Sequence, residues 1–430
     1  MRKIFTFLAG VFVCALVATN ALAQSQEINS ASQPDQPATA AASPFVVASS
    51  NLPALSSAQV AEKITDAKQL LRSRAALTGT SVTLAAFDQE TSQINIFSVP
   101  KDSFLIKGAK LAATTQLSRS VLLHVISPNG VNTAVTVTDV ATGRQFLPLV
   151  VQYPIVKSGA VTETAYYTSA HPALLSAGII SAGNSYVTTM LETAAERLAD
   201  KGVSISRDII NIAEHLVLVE HTDHRRFLNE DRSKIYPDIL SLYALNQGDT
   251  FRYSVSSAGA GGMIQMIPRT YEGIRQQHPG IDLATDFVSG MRNHANALEA
   301  MLLYINDTWS YLQKQDEVQN ALRNGIASKP ELLAAGYNSN PMRLPLYLKD
   351  GGAGWRTLIP AETQMYLAIY SSVDSNVQFK SQAVQAVAAD DSLTRTSPTV
   401  AEQNPVTVLM SWIGDELETR GRAILSSIAR

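Results

Sequence analysis

The spacing of hydrophobic positions changes several times along the chain. From Ala58 to Leu77 it is helical, with Val60, Ile64, Ala67 and Leu71 on one face. Between Ser81 and Tyr153 the period drops to two. The runs SVTLAAF, QINIFSV, SVLLHVI, VNTAVTV and FLPLVVQY are rich in β-branched and aromatic residues, and SPNG (127–130) and ATGR (141–144) supply turn chemistry between the later ones. This pattern predicts a small antiparallel β domain. From about His171 the helical period returns and continues to Val373. Residues 374–404 are small and polar and read as a linker. Pro405 to Arg430 then predicts an amphipathic helix, with Val408, Trp412, Ile413, Leu417 and Ile424 on one side.

The first residues alter this picture. Arg2 and Lys3 precede an apolar run from Ile4 to Ala18, and Ala21-Leu22-Ala23 ends it. A charged start, a short apolar core and an Ala-x-Ala exit describe a secretory signal peptide, residues 1–23, cleaved near Ala23. The run is short for a bilayer span. Cys14 lacks the preceding small-residue pattern of a lipid-modified cysteine. Residues 24–57, mostly Ser, Ala, Gln and Pro up to Pro53, cannot bury enough apolar surface to offset their ordering entropy and read as a flexible tether. Two bodies are therefore expected, 58–165 (helix plus β domain) and 166–373 (helical).

Removing the signal takes away the only cysteine and two positive charges, leaving 32 basic against 37 acidic residues, about −5 net. That balance argues against nucleic-acid binding. An exported chain without cysteine has no disulfide to stabilise it.

Within the helical half, Ser206 and Asp208 suit the start of a helix running to about Phe227. Ile209, Ile212, Ala213 and Leu216 form one stripe at 100° per residue, and Glu220 falls in its middle. A carboxyl there is desolvated, which raises its pKa towards the range a general acid needs. Glu214 projects off the stripe and is expected in solvent. His215, His221 and His224 lie near Asp223, but their spacing matches no standard zinc motif, so no metal and no cofactor is expected.

Three further segments carry chemistry. SSAGAGGMIQMIPRT (256–270) is a small-residue run that lets backbone approach a ligand, followed by Gln265, whose amide both donates and accepts. AGYNSNP (335–341) sets Tyr337 beside Asn338, and PAETQMYL (360–367) places Glu362 and Tyr366 at i, i+4. Taken in order, Glu220 and these segments resemble the SLT domain of lytic transglycosylases, a branch of the lysozyme superfamily related to goose-type lysozyme. The resemblance covers roughly Asp208 to Tyr370, and the 256–270 run is its most specific part.

The resemblance implies a mainly α, lysozyme-like domain after a small all-β domain, acting on peptidoglycan glycan strands in the periplasm or cell envelope. It implies Glu220 as acid/base, with Gly262, Met263 and Gln265 lining the glycan cleft, Tyr337 near the carboxylate and Asn338 bracing it. Glu362 and His221 are implied to be supporting rather than catalytic. The implied reaction is cleavage of the β-1,4 bond between N-acetylmuramic acid and N-acetylglucosamine with a 1,6-anhydromuramyl product. A hydrolase, and a scaffold that binds peptidoglycan without turnover, remain alternatives. The β domain and the C-terminal helix are open as docking elements for an envelope protein.

The chain also departs from the family pattern. His221 stands where serine is usual, Gly336 where alanine is, and Asn340 where glycine is. Glu220 and Ser256 are 36 positions apart, far more than the family needs. The extra stretch, about 225–249, has helical spacing at Ile239, Leu240, Leu242 and Leu245 and predicts an inserted helix at the cleft mouth, either a lid or a peripheral excursion. Tyr236 and Tyr243 on it are candidates to stack on sugars.

Overall fold

The computed structural model describes residues 55–74 and 78–379; the expected signal peptide, tether, second linker and C-terminal helix lie outside these residues. Helix α1 (Ser57–Arg72) starts in a capping box between Ser56 and Gln59 and buries Val60, Ile64, Ala67 and Leu71, the four positions of the predicted face. It ends at Arg72, before the predicted Leu77.

Seven strands follow: β1 (Ser81–Asp88), β2 (Gln93–Pro100), β3 (Lys110–Thr114), β4 (Ser120–Ser127), β5 (Ala134–Asp139), β6 (Gln145–Lys157) and β7 (Ala160–Tyr167), with a one-turn helix α2 (Lys101–Phe104) after β2. All pairings are antiparallel, in the order β2-β1-β6-β5-β4-β3, with β7 added to β6. The sheet nearly closes into a barrel. The backbone N–H of Gln116, just after β3, donates to the Ile96 carbonyl of β2 at 2.9 Å, and its side-chain Nε2 donates to the Ile94 carbonyl at 2.9 Å. At one end Arg119 bridges the buried Asp88 and Asp139, which ties together the turns β1–β2, β3–β4 and β5–β6. Five strands match the alternating runs. β3 and β7 were not foreseen.

The rest is mainly helical: α3 (Ala177–Asp200), α4 (Arg207–Val219), α5 (His224–Asn229), α6 (Arg232–Asn246), α7 (Pro268–Gln277), α8 (Phe287–Arg292), α9 (His294–Leu312), α10 (Asp316–Arg323), α11 (Lys329–Asn338), α12 (Leu344–Gly351) and α13 (Ala361–Asn376). At the centre runs α4, packed by α3, α6, α9, α11 and α13. Ten of its residues are buried, Glu214 and His215 among them. Glu214 is therefore interior, not solvated. A helix enclosed on every side has no solvent face for an off-stripe residue to occupy. The predicted continuation to Phe227 is also broken: α4 stops at Val219, and Asp223 caps a separate α5 through bonds to the Arg225 and Arg226 amides.

The extra segment forms the expected helix, α6, but not at the surface. Tyr236 and Tyr243 are 1% and 0% exposed, so neither faces a sugar. Leu242 enters the core of the sheet, Leu245 the cluster under α1, and Ile235, Tyr236, Ile239, Leu240 and Tyr243 the helical core. Against α3 the contact is backbone to backbone: a Cβ on Gly183 would stand 1.8 Å from the Leu240 carbonyl oxygen. The segment is a structural wedge, neither a lid nor a peripheral excursion.

That wedge joins the two regions, which belong to one compact unit. Asn246 pairs with the Thr168 backbone in both directions, each bond 2.7 Å. On β7, Glu163 accepts from the Tyr253 hydroxyl at 2.7 Å and pairs with Arg292 at 2.8 Å, fastening the sheet to the segment that leads into 256–266. Among the described residues no helix is long and apolar enough to cross a membrane.

Candidate functional site

Glu220 is the C-cap of α4. The buried helix delivers its carboxyl into the centre of the helical region, where Oε1 accepts a hydrogen bond from the Tyr366 hydroxyl of α13 at 2.7 Å. Burial raises the Glu220 pKa to about 8; the Tyr366 hydrogen bond works the other way by favouring the charged form, and the charge of Glu362 adds to the rise. The carboxyl is thus a proton donor at neutral pH. Glu362 is exposed on the first turn of α13. Its charge bears on Glu220, so Glu362 is a second carboxylate where the resemblance implies only a supporting side chain.

The segment 256–266 folds into a tight loop pinned by its own backbone, with Gly261 N donating to Met266 O and Gly262 N to Ser254 O, each at 3.0 Å. Gly262 has φ +70°, and a Cβ there would lie 2.3 Å from the Met291 carbonyl oxygen. Its glycine is required by protein backbone, a different reason from the close ligand approach expected of the run. Met263 is wholly buried, so its side chain belongs to the core and does not line a cleft. Gln265 is partly exposed and sits at φ +44°, with Nε2 donating to the Gly262 carbonyl at 2.8 Å and to Ser254 Oγ at 3.3 Å. A left-handed glutamine is strained, and strain of this kind persists only where the surroundings over-determine it.

Tyr337 closes the other side. Its hydroxyl donates to the Ile264 carbonyl at 2.8 Å, and burial followed by the Glu220 charge pushes its pKa up. Asn338 Oδ1 accepts from the Thr363 hydroxyl at 2.8 Å, which ties α11 to α13 three residues before Tyr366. Two of the sequence departures have local causes. Gly336 is packed so closely that a Cβ would meet Pro341 at 3.1 Å and Thr308 at 3.3 Å. Asn340 caps the turn at Pro341–Arg343 through the Met342 amide.

The three histidines do not converge. His215 stacks beside Tyr370 and Phe379 and faces Asp374, His224 is exposed, and His221 binds the Met263 carbonyl. Among the described residues no group of three His, Cys, Asp or Glu side chains could hold a metal ion.

Glu220 is thus linked to Tyr366 by a hydrogen bond and to Tyr337 and Glu362 by charge, while Asn338 reaches α13 through Thr363 and Gln265 adjoins the Ile264 that Tyr337 binds. Tyr366 had been noted in the sequence, but its contact with Glu220 depends on how α13 crosses α4, which no spacing reveals. Comparison with protein-family models, with curated proteins and with solved structures finds no match.

Proposed function

We propose that this protein is a peptidoglycan lytic transglycosylase of the cell envelope, with Glu220 as its single acid/base. The observation that carries the reading is a carboxyl at the end of a buried helix, protonated at neutral pH and oriented by one tyrosine. Glu220 gives its proton to the glycosidic oxygen as the bond between N-acetylmuramic acid and N-acetylglucosamine breaks. The resulting carboxylate then takes the proton of the muramic acid C6 hydroxyl as that oxygen closes on the anomeric carbon. The nucleophile is part of the substrate and is already held at high effective concentration, so no second carboxylate is needed. Tyr366 stabilises the charged form between the two steps. Gln265, at the rim of the glycine loop, has its Nε2 held by the Gly262 carbonyl and Ser254 Oγ and so offers Oε1 as an acceptor for a sugar hydroxyl or amide.

One observation favours a second reading. Glu362 is exposed and its charge bears on Glu220, and an acid paired with a carboxylate that activates water is the arrangement of an inverting hydrolase. Products separate the two: anhydromuramyl ends support the lyase, reducing ends the hydrolase.

Glu220→Gln keeps the volume and removes the proton. It is expected to lower glycan cleavage by at least about a hundredfold with an unchanged fold. Appreciable residual turnover in a variant with a normal melting curve would overturn the assignment. Glu214 is too deeply buried to serve as a neutral control. The exposed Glu196 on α3 is suitable.

A further inference from the structure

His221, next to Glu220, touches two segments. Its ring lies flat on Phe251, with centroids 3.4 Å apart and planes within 3°. Its Nε2 bonds the Met263 carbonyl at 3.0 Å. A carbonyl only accepts, so Nε2 carries the hydrogen. Burial holds the ring pKa down at about 3, so the imidazole stays neutral and this donor is permanent. Phe251 is itself fixed at φ +55°, edge-on to Tyr243 at 5.4 Å, and the Tyr243 hydroxyl donates to the Val217 carbonyl of α4 at 3.3 Å. Two residues beyond Met263 comes Gln265 in its own left-handed conformation.

We propose that His221 is a positioning residue that locks the 256–266 loop to the end of α4, so that Gln265 and Glu220 meet a bound glycan in one fixed register. This rests on the reading of Glu220 as the acid. His221 touches no reacting atom. It acts by removing freedom between the group that grips and the group that protonates, and small displacements of such groups cost large factors in rate.

Two variants separate the donor from the ring. His221→Phe keeps the stack on Phe251 and loses the N–H. His221→Gln places an amide N–H near the position of Nε2 and loses the ring. In full-length protein, His221→Phe is expected to lower kcat/KM for purified glycan strands about tenfold, the factor for one hydrogen bond of ordinary net strength. The pH dependence of kcat should stay unchanged, and His221→Gln should recover most of the loss. Without substrate, amide hydrogen exchange at Gly261 and Gly262 should quicken about tenfold in His221→Phe and stay near wild type in His221→Gln. Unchanged exchange in His221→Phe, or equal damage in both variants, overturns the proposal. Should His221→Phe not fold, His221→Asn, whose amide falls short of the Met263 carbonyl, takes its place with the same expected outcomes. The exchange arm needs no substrate, so wild-type inactivity on peptidoglycan would sink the reading of Glu220 while leaving the clamp separately decided.

Discussion

At the scale of single residues, two glutamates on one helix show what a helical projection can and cannot tell. Glu220 was legible because it fell on the apolar stripe of α4. Glu214 was misjudged because the projection presumes an outer face, and α4 has none. Tyr366 shows the complementary limit, since its hydroxyl reaches a carboxyl 146 positions away. The pH behaviour follows from these two groups. Glu220 must enter the reaction protonated, so kcat/KM is expected to fall as pH rises through about 8. The Tyr366 bond favours the carboxylate, so Tyr366→Phe should move that descending limb to higher pH. A pH–rate profile with the limb unmoved, or moved to lower pH, would show that Tyr366 does not tune the acid.

At the scale of elements, α1, β2, β4 and β5 were legible from period because each presents a more buried and a more open face. Buried on both faces, β1 and β6 were legible from their β-branched and aromatic runs. β3 (KLAAT) is short and built largely of alanine, and β7 (AVTETAYY) lacks a clean alternation, so neither stood out. The helix α6 was legible as a helix but not as a wedge. Its apolar residues point in all directions, which says only that it is enclosed, and what encloses it is a matter of tertiary packing. The contact of Gly183 with Leu240 gives a test. Gly183→Ala sets a methyl against main chain, which cannot swing aside as a side chain would, and a loss of about 3 kcal/mol is expected. Replacing residues 233–246 with a Gly/Ser linker should leave no cooperative fold at all. A shortened protein with a normal melting curve would restore the view of this segment as an accessory.

At the scale of the molecule, the sequence pattern suggested two bodies, and the structure joins them. Leu242 completes the sheet's core, Leu245 lies under α1, and Asn246 pairs with the end of β7. Period counts cannot see this, because a residue that serves another region's core looks the same as one that serves its own. Calorimetry of the full chain is expected to give a single transition over the described region, with van 't Hoff and calorimetric enthalpies in agreement. Two resolved transitions would mean that the wedge does not couple the regions. The wide separation of Glu220 and Tyr366 also bears on time. On a ribosome adding roughly 5–20 residues per second, the tyrosine emerges on the order of ten seconds after the carboxyl it will hold. α9 and α11 are added part-way through that interval and α13 only at its end, so until then Glu220 lacks the Tyr366 hydroxyl that orients it. A chain that ends before α13 therefore lacks the hydrogen bond that orients Glu220, and that bond is completed only when the last described helix is in place.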